Sequence, residues 1–191
     1  KLNLLQKVLC LLQRMHFFKM IPVVLGIGSN REWNKMSCLQ LMENACRQLK
    51  VFLSDFKMSS VYKTKPMYYE NQDDFYNMVV SGFVTEDISP QILLEKIHKI
   101  EESLGRNRSK EIRNGPRSID IDIEFFGTMS VNEKDLQIPH PKLKERAFVL
   151  VPLLEILDEN ADFIKREYLL DLLKNIGDSG IEKFFSTGNF S

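Results

Sequence analysis

Residues 118–124 read SIDIDIE and alternate apolar and polar side chains one for one, a period of two that suits a β-strand and not a helix. On a strand, Ile119, Ile121 and Ile123 enter a core while Asp120, Asp122 and Glu124 project together from the opposite face. Residues two apart on a strand lie about 6.5–7 Å apart. Two carboxylates at that spacing can converge on a pair of hard cations, which take oxygen ligands. Two Mg²⁺ ions about 3.5–4 Å apart are the usual clamp for an in-line phosphoryl displacement. An amphipathic strand with a solvated acidic face is the other reading of an isolated D-x-D.

The segment upstream bears on that choice. Residues 106–117, RNRSKEIRNGPR, hold five basic residues (Arg106, Arg108, Lys110, Arg113, Arg117) against one acid, Glu111, a local charge of +4. A basic loop feeding an acidic strand can hold a polyphosphate and the metals that bridge it, with arginine forks on phosphate oxygens. A solvated loop is the alternative. The whole chain offers no such bias: Lys+Arg and Asp+Glu are both 26, so nothing in the total suggests a general nucleic-acid binder. No apolar run reaches the roughly 18–20 residues that span a bilayer. The three cysteines, Cys10, Cys38 and Cys46, are odd in number and lack CxxC spacing. They point to a reducing compartment, the cytoplasm, with a mitochondrion or other organelle as the lesser alternative.

Periodicity places the remaining elements. Residues 1–20 read as a basic amphipathic helix through Leu2, Leu5, Leu9 and Leu12, a linker or extension ahead of the main domain. Pro22–Ile27 is a buried strand closed by Gly28-Ser29-Asn30. Residues 33–49 form a helix with Met36, Leu39, Met42, Cys46 and Leu49 inward. Residues 51–62 are extended, Thr64-Lys65-Pro66 breaks them, and Phe75–Val84 is a strand. Ser89 caps a second helix with Pro90 at its first position, an inner stripe of Leu93, Ile97, Ile100 and Leu104, and Gly105 at its end. An apolar helix runs from Pro152 to Leu157. The order strand, helix, strand, strand, helix, strand is that of an α+β, ferredoxin-like βαββαβ core, an antiparallel sheet with helices on one face. The expected domain is 21–160, with residues 161–191 a C-terminal helix and tail that fits a linker to a further domain.

Two weaker signals accompany the acidic strand. Gly28-Ser29-Asn30 allows close backbone approach to a ligand, yet completes neither a Walker A loop nor GxGxxG. Phe75 and Asn77 share a strand face, setting an aromatic plane beside an amide, as a flat heterocycle with polar edges requires. A core phenylalanine and a capping asparagine would look the same.

Taken in order, these residues resemble the 6-hydroxymethyl-7,8-dihydropterin pyrophosphokinases of folate biosynthesis. The resemblance runs from about Val23 to Leu157 and is densest in GPRSIDIDI and IPHPKLKERAFVLVPL. It implies a ferredoxin-like enzyme, an ATP-dependent diphosphotransferase, that moves pyrophosphate from ATP to the pterin and releases AMP. It implies Asp120 and Asp122 as ligands of two Mg²⁺ ions. It places Arg106, Arg108, Arg117, His140 and Arg146 on the triphosphate and Glu101 near the ATP ribose or adenine. Gly28, Thr64, Pro66, Phe75, Asn77 and Phe148 would form the pterin pocket, with both phenylalanines stacked on the ring. Asn114 stands where many members carry a tryptophan. Segments 63–74 and 105–117 are long enough to act as lids. The implied partners are small molecules, with no nucleic acid and no membrane, and covalent fusion to other folate-pathway domains occurs in such families. An RNA-recognition module is the rival on this fold. No RNP1-like stretch occurs, and acids occupy the strand where RNA phosphates need bases.

Overall fold

The computed structural model describes residues 19–67, 69–112, 114–159, 161–187 and 190. The expected N-terminal helix, Cys10 and Arg113 lie outside the described residues, and Met20 already belongs to the first strand.

The elements are β1 (Met20–Ser29), α1 (Cys38–Leu49), β2 (Ser54–Met58), β3 (Val61–Thr64), β4 (Phe75–Thr85), α2 (Pro90–Ser103), β5 (Asp120–Phe126), β6 (Val131–Asn132), β7 (Gln137–Ile138), α3 (Ala147–Ile156), α4 (Arg166–Ile176) and β8 (Ile181–Phe185). Every pairing in the main sheet is antiparallel, in the order β5-β1-β4-β3-β8, with β2 also paired to β4. β6 and β7 form a separate ribbon.

Local chemistry sets several boundaries. α1 starts later than its apolar period suggests because Ser37 closes a capping box with Gln40, whose side chain takes the Ser37 N–H at 2.9 Å. Ahead of it Asn34 and Lys35 adopt left-handed φ values of 48° and 64°, incompatible with a helix beginning at residue 33. The extended stretch 51–62 becomes two strands because Ser59 interrupts it: its hydroxyl takes the Val79 N–H at 2.9 Å, and Thr187 bonds its carbonyl at 2.8 Å. α2 matches the expected cap, with Ser89 Oγ accepting from Ile92 N–H and Pro90 at its start.

Two cores flank the sheet. Val23, Leu25, Ile27, Ile119, Ile121 and Ile123 pack with Leu41, Met42 and Leu49 of α1 and with Leu93 and Ile97 of α2. On the other face Val24, Val79 and Phe125 lie beneath Val149, Leu150 and Leu153 of α3 and Leu169 of α4. Helices on one face only was therefore the wrong expectation. α3 begins at Ala147, five residues ahead of Pro152, and closes the second face. The strict alternation of β5 also breaks: a bulge between the Leu25–Ile123 and Val24–Phe125 pairs leaves Glu124 as the extra residue.

The segment beyond residue 160 packs into this body. Leu169 and Ile164 are buried in the second core, β8 adds to β3, and Glu155 on α3 joins Ser60, Tyr62 and Lys183. Leu169→Ala should therefore cost about 2–5 kcal/mol. Thermal unfolding should stay a single, lowered transition; an unchanged melting temperature would show that α4 does not stabilise the sheet.

Candidate active site

The site grows from the register of three strands. Gly28 of β1 lies between Asn77 of β4 and Asp120 of β5, and Gly26 lies between Val79 and Asp122. Two glycines in the middle strand remove side chains from the centre of the sheet and leave a trough between larger neighbours. A Cβ on Gly28 would stand 3.1 Å from Asn77 Oδ1, so the floor has no space for a side chain. The resulting cavity is lined by Gly28, Thr64, Phe75, Asn77 and Phe148 together with Arg117, Asp120, Asp122 and Arg146. Asn77 donates to Thr64 Oγ1 at 2.7 Å, which fixes the amide and leaves its oxygen available. Pro66 does not line this cavity, although its neighbours Lys65 and Met67 do.

A second recess opens on the other side of Asp122, lined by Leu94, His98, Arg108, Leu136, Gln137 and His140. Asp122 borders both spaces.

Each aspartate is held by arginine. Arg117 and Arg106 both pair with Asp120, the latter at 3.1 Å. Burial pushes the Asp120 carboxyl up, but the two guanidinium charges outweigh it and hold the group below its ordinary value. Arg146 Nη1 binds Asp122 at 2.7 Å. Arg117 lies 5.7 Å from the Phe75 ring and Arg146 lies 5.5 Å from the Phe148 ring, so each guanidinium sits between one carboxylate and one aromatic face. Arg106 also pairs with Glu111 at 2.7 Å, and Arg31 takes the other oxygen of Glu111 at 2.7 Å, tying the 105–117 segment to the end of β1.

Glu101 and Glu124 are both fully buried. Glu101 is fully buried beneath β5, where it accepts the Ile121 N–H at 2.8 Å and pairs with Arg108 at 2.5 Å. It organises β5 and Arg108 from within. Burial, then the Asp120 charge, pushes its carboxyl up to about 7. Glu124 lines the same cavity as the two aspartates, as the alternation predicts, but is fully buried there, with Arg146 at 3.3 Å. Burial, then the Asp122 charge, raises it to about 8. His140 is held neutral near pKa 4, first by burial and then by Arg146. Its Nδ1 accepts the Lys142 N–H at 3.1 Å, so the neutral ring carries its proton on Nε2.

Asp120 and Asp122 supply hard oxygen donors that suit Mg²⁺. Among the described residues no group of three or more His, Cys, Asp or Glu side chains could hold a metal by itself. A cation here would take these two carboxylates and fill its shell with water and phosphate oxygens, the usual way Mg²⁺ is bound.

A sequence model of the family 7,8-dihydro-6-hydroxymethylpterin-pyrophosphokinase (HPPK) matches residues 24–158. The chain belongs to the HPPK family. It is 44% identical over 103 residues to the 2-amino-4-hydroxy-6-hydroxymethyldihydropteridine pyrophosphokinase of Bacillus subtilis, covering 54% of this chain and 59% of that protein. It is 39% identical over 137 residues to the Aquifex aeolicus protein of the same name, covering 72% of this chain and 81% of the relative. A folic acid synthesis protein of Pneumocystis carinii is 41% identical over 135 residues, 70% of this chain but only 17% of that protein. The chain thus spans less than a fifth of that longer relative. A crystal structure of Plasmodium falciparum HPPK-DHPS matches in fold with a TM-score of 0.62 at 18% identity, covering 88% of this chain and 50% of that one.

Within this HPPK chain, sequence reasoning missed Asn30 and Gln72. Asn30 Nδ2 donates to Gln72 Oε1 at 2.9 Å, and its Oδ1 accepts the Arg117 N–H at 2.8 Å. Gln72 in turn donates to the Asn114 carbonyl at 3.0 Å, so two small networks join the 63–74 and 105–117 segments. The GSN turn after β1 was their only trace in the sequence.

The titrations set a pH trend. Glu101 and Glu124 bind protons in the folded state well above the unfolded carboxyl range. Their stabilising effect is complete below about pH 4.5 and disappears as pH rises through 7 and 8. His140 acts oppositely, costing stability only as pH falls below about 6.5. The melting temperature of ligand-free protein should therefore fall between pH 6.5 and 8.5, and Glu101→Gln should flatten the slope; a curve rising with pH there would contradict both assignments.

Proposed function

We propose that the chain transfers pyrophosphate from ATP to 6-hydroxymethyl-7,8-dihydropterin, giving AMP and the pterin diphosphate in folate synthesis. The observation that carries this reading is the Asn77–Gly28–Asp120 row, which sets a slot for a flat heterocycle beside two carboxylates, one of which, Asp122, also borders a second recess. The pterin ring lies over Gly28 between Phe75 and Phe148, and Asn77 and the Thr64 backbone read its polar edge. ATP lies in the recess of His98, Arg108 and His140, with its phosphates directed toward Asp122. The ferredoxin-like reading of the fold corresponds to β1, α1, the split pair β2 and β3, β4, α2 and β5 as the βαββαβ core.

Two Mg²⁺ ions held by Asp120 and Asp122 would neutralise the triphosphate and polarise the β-phosphorus. The chain's own groups do the rest. Asp120 and Asp122 would hold the metal in place of their arginine partners, freeing Arg117 and Arg146 for phosphate oxygens, where bidentate forks bind best. Arg106 and Arg108 add positive charge on the same side. His140, neutral with its proton on Nε2, donates to a phosphate oxygen. The pterin hydroxyl oxygen forms its bond to the β-phosphorus, the bond from that phosphorus to the α-phosphate oxygen breaks, and AMP leaves with that oxygen. The hydroxyl proton passes to solvent. Positioning and electrostatics supply the acceleration.

The catalytic unit is the segment 21–160. Relatives named bifunctional occur in Lactococcus lactis and Arabidopsis thaliana, and we infer that this segment can belong to a longer folate-pathway polypeptide. Among the described residues no helix is long and apolar enough to cross a membrane. The proposed compartment is the cytoplasm; relatives named mitochondrial in Arabidopsis and Pisum sativum make an organelle the alternative.

The protein incubated with ATP, Mg²⁺ and the pterin should release AMP. Asp120→Ala and Asp122→Ala should each lower the rate by several orders of magnitude with folding retained by circular dichroism. ADP as the product, or near-normal AMP release by both variants, would refute the assignment.

A further inference from the structure

Glu124 is the one acidic side chain of β5 that neither the metal nor the substrate reading uses. It is fully buried on the wall of the cavity, and among the described residues its Oε2 has no hydrogen-bond partner. Its Oε1 pairs with Arg146 Nη1 at a long 3.3 Å, while the same nitrogen binds Asp122 at 2.7 Å. A buried carboxyl with one unsatisfied oxygen and one weak ion pair costs stability, and an apolar side chain of similar size would be neutral or better. Its cost therefore calls for an explanation outside folding.

The chain makes room for this group. A Cβ on Gly26 would stand 3.0 Å from Glu124 Oε1, tighter than ordinary contact, so the glycine opposite is what admits the carboxyl. The bulge in β5 falls at Glu124.

Its partners are two groups that the proposed reaction places on phosphate. The side chain of Glu124 holds Arg146, and its backbone carbonyl accepts the His140 N–H at 3.2 Å. Arg146 precedes Ala147 at the start of α3, and its own carbonyl accepts the Val149 and Leu150 N–H groups at 2.9 and 3.0 Å, so its backbone is fixed. Only the guanidinium is free to change partners.

We propose that Glu124 is a positioning residue for Arg146, an internal anchor that keeps the guanidinium at the Asp122 wall when Asp122 exchanges it for a metal-bound phosphate. Because one nitrogen donates to both Asp122 and Glu124, Arg146 can release Asp122 and pivot on the Glu124 oxygen without leaving the site. Without Glu124 the released arginine swings away, and the phosphates lose one charged contact. This rests on the pyrophosphoryl-transfer reading.

Three proteins test it: wild type, Glu124→Leu and Glu124→Gln, each measured for melting temperature without ligand and for AMP release with both substrates. The leucine variant should melt at or above the wild-type temperature and lose about 10- to 100-fold in kcat/KM for ATP. Its KM for the pterin should not change. Glu124→Gln keeps an acceptor oxygen of the same reach and should recover most of the loss. A lower melting temperature in Glu124→Leu would make the role structural and overturn the inference. Unchanged kinetics, or a loss confined to the pterin KM, would overturn it equally. A wild-type protein that releases no AMP would remove the pyrophosphoryl-transfer reading itself, and this inference with it.

Discussion

The site depends on the antiparallel register of β1 against its two neighbours. Because Gly28 is paired with Asn77 on one side and Asp120 on the other, an amide and a carboxylate face each other across a position that has no side chain. A shift of one residue would turn Ile119 and Ile121 into the cavity and bury the aspartates in the first core. The register is held by those same isoleucines packed against α1 and α2, so the stability of the first core and the geometry of the site are one constraint. A single-residue slip cannot be absorbed locally. It would exchange the buried and exposed faces of the whole strand.

Charge is arranged on that scaffold in opposed pairs. The zero net charge of the sequence conceals a basic segment set against an acidic strand, and in the fold Arg117 and Arg106 of that segment pair with Asp120 while Arg146, from the start of α3, pairs with Asp122. Two like charges two residues apart on a strand would repel strongly in a half-buried cavity, and the arginines remove that repulsion in the ligand-free protein. Under the proposed reaction the same arginines serve twice, first as counter-ions of the carboxylates and then as ligands of the phosphates that replace them. The aromatic faces of Phe75 and Phe148 flank both guanidiniums, so movement of the arginines and entry of a flat ring are coupled through shared space.

Much of this is legible in the sequence because it rests on short-range periodicity. The alternation of 118–123 places Asp120 and Asp122 on one face, Ser89-Pro90 starts α2, and Phe75 and Asn77 fall in one strand. What escapes is decided by distant parts of the chain. Glu124 continues the alternation, yet it is fully buried on the cavity wall, and the bulge in β5 answers to packing on β1. For Glu101 the sequence implies only a place near the nucleotide, and nothing in it shows that the side chain is buried and accepts the Ile121 N–H of β5. A C-terminal helix with apolar residues at 168–173 is legible, whereas β8 looks like a loose tail because the strand it pairs with, β3, lies more than a hundred residues away in the chain. Ser59 splits a strand through a hydroxyl bond that no periodicity reveals.

Under the proposed reaction the glycine trough receives a flat ring while the arginines leave the aspartates for phosphate. A crystal structure with the pterin, Mg²⁺ and a non-hydrolysable ATP analogue tests it most directly. The expected result is the ring over Gly28 between Phe75 and Phe148, metal on Asp120 and Asp122, and Arg117 and Arg146 on phosphate oxygens. A ring bound elsewhere, or arginines still paired with the two aspartates around a bound triphosphate, would contradict it.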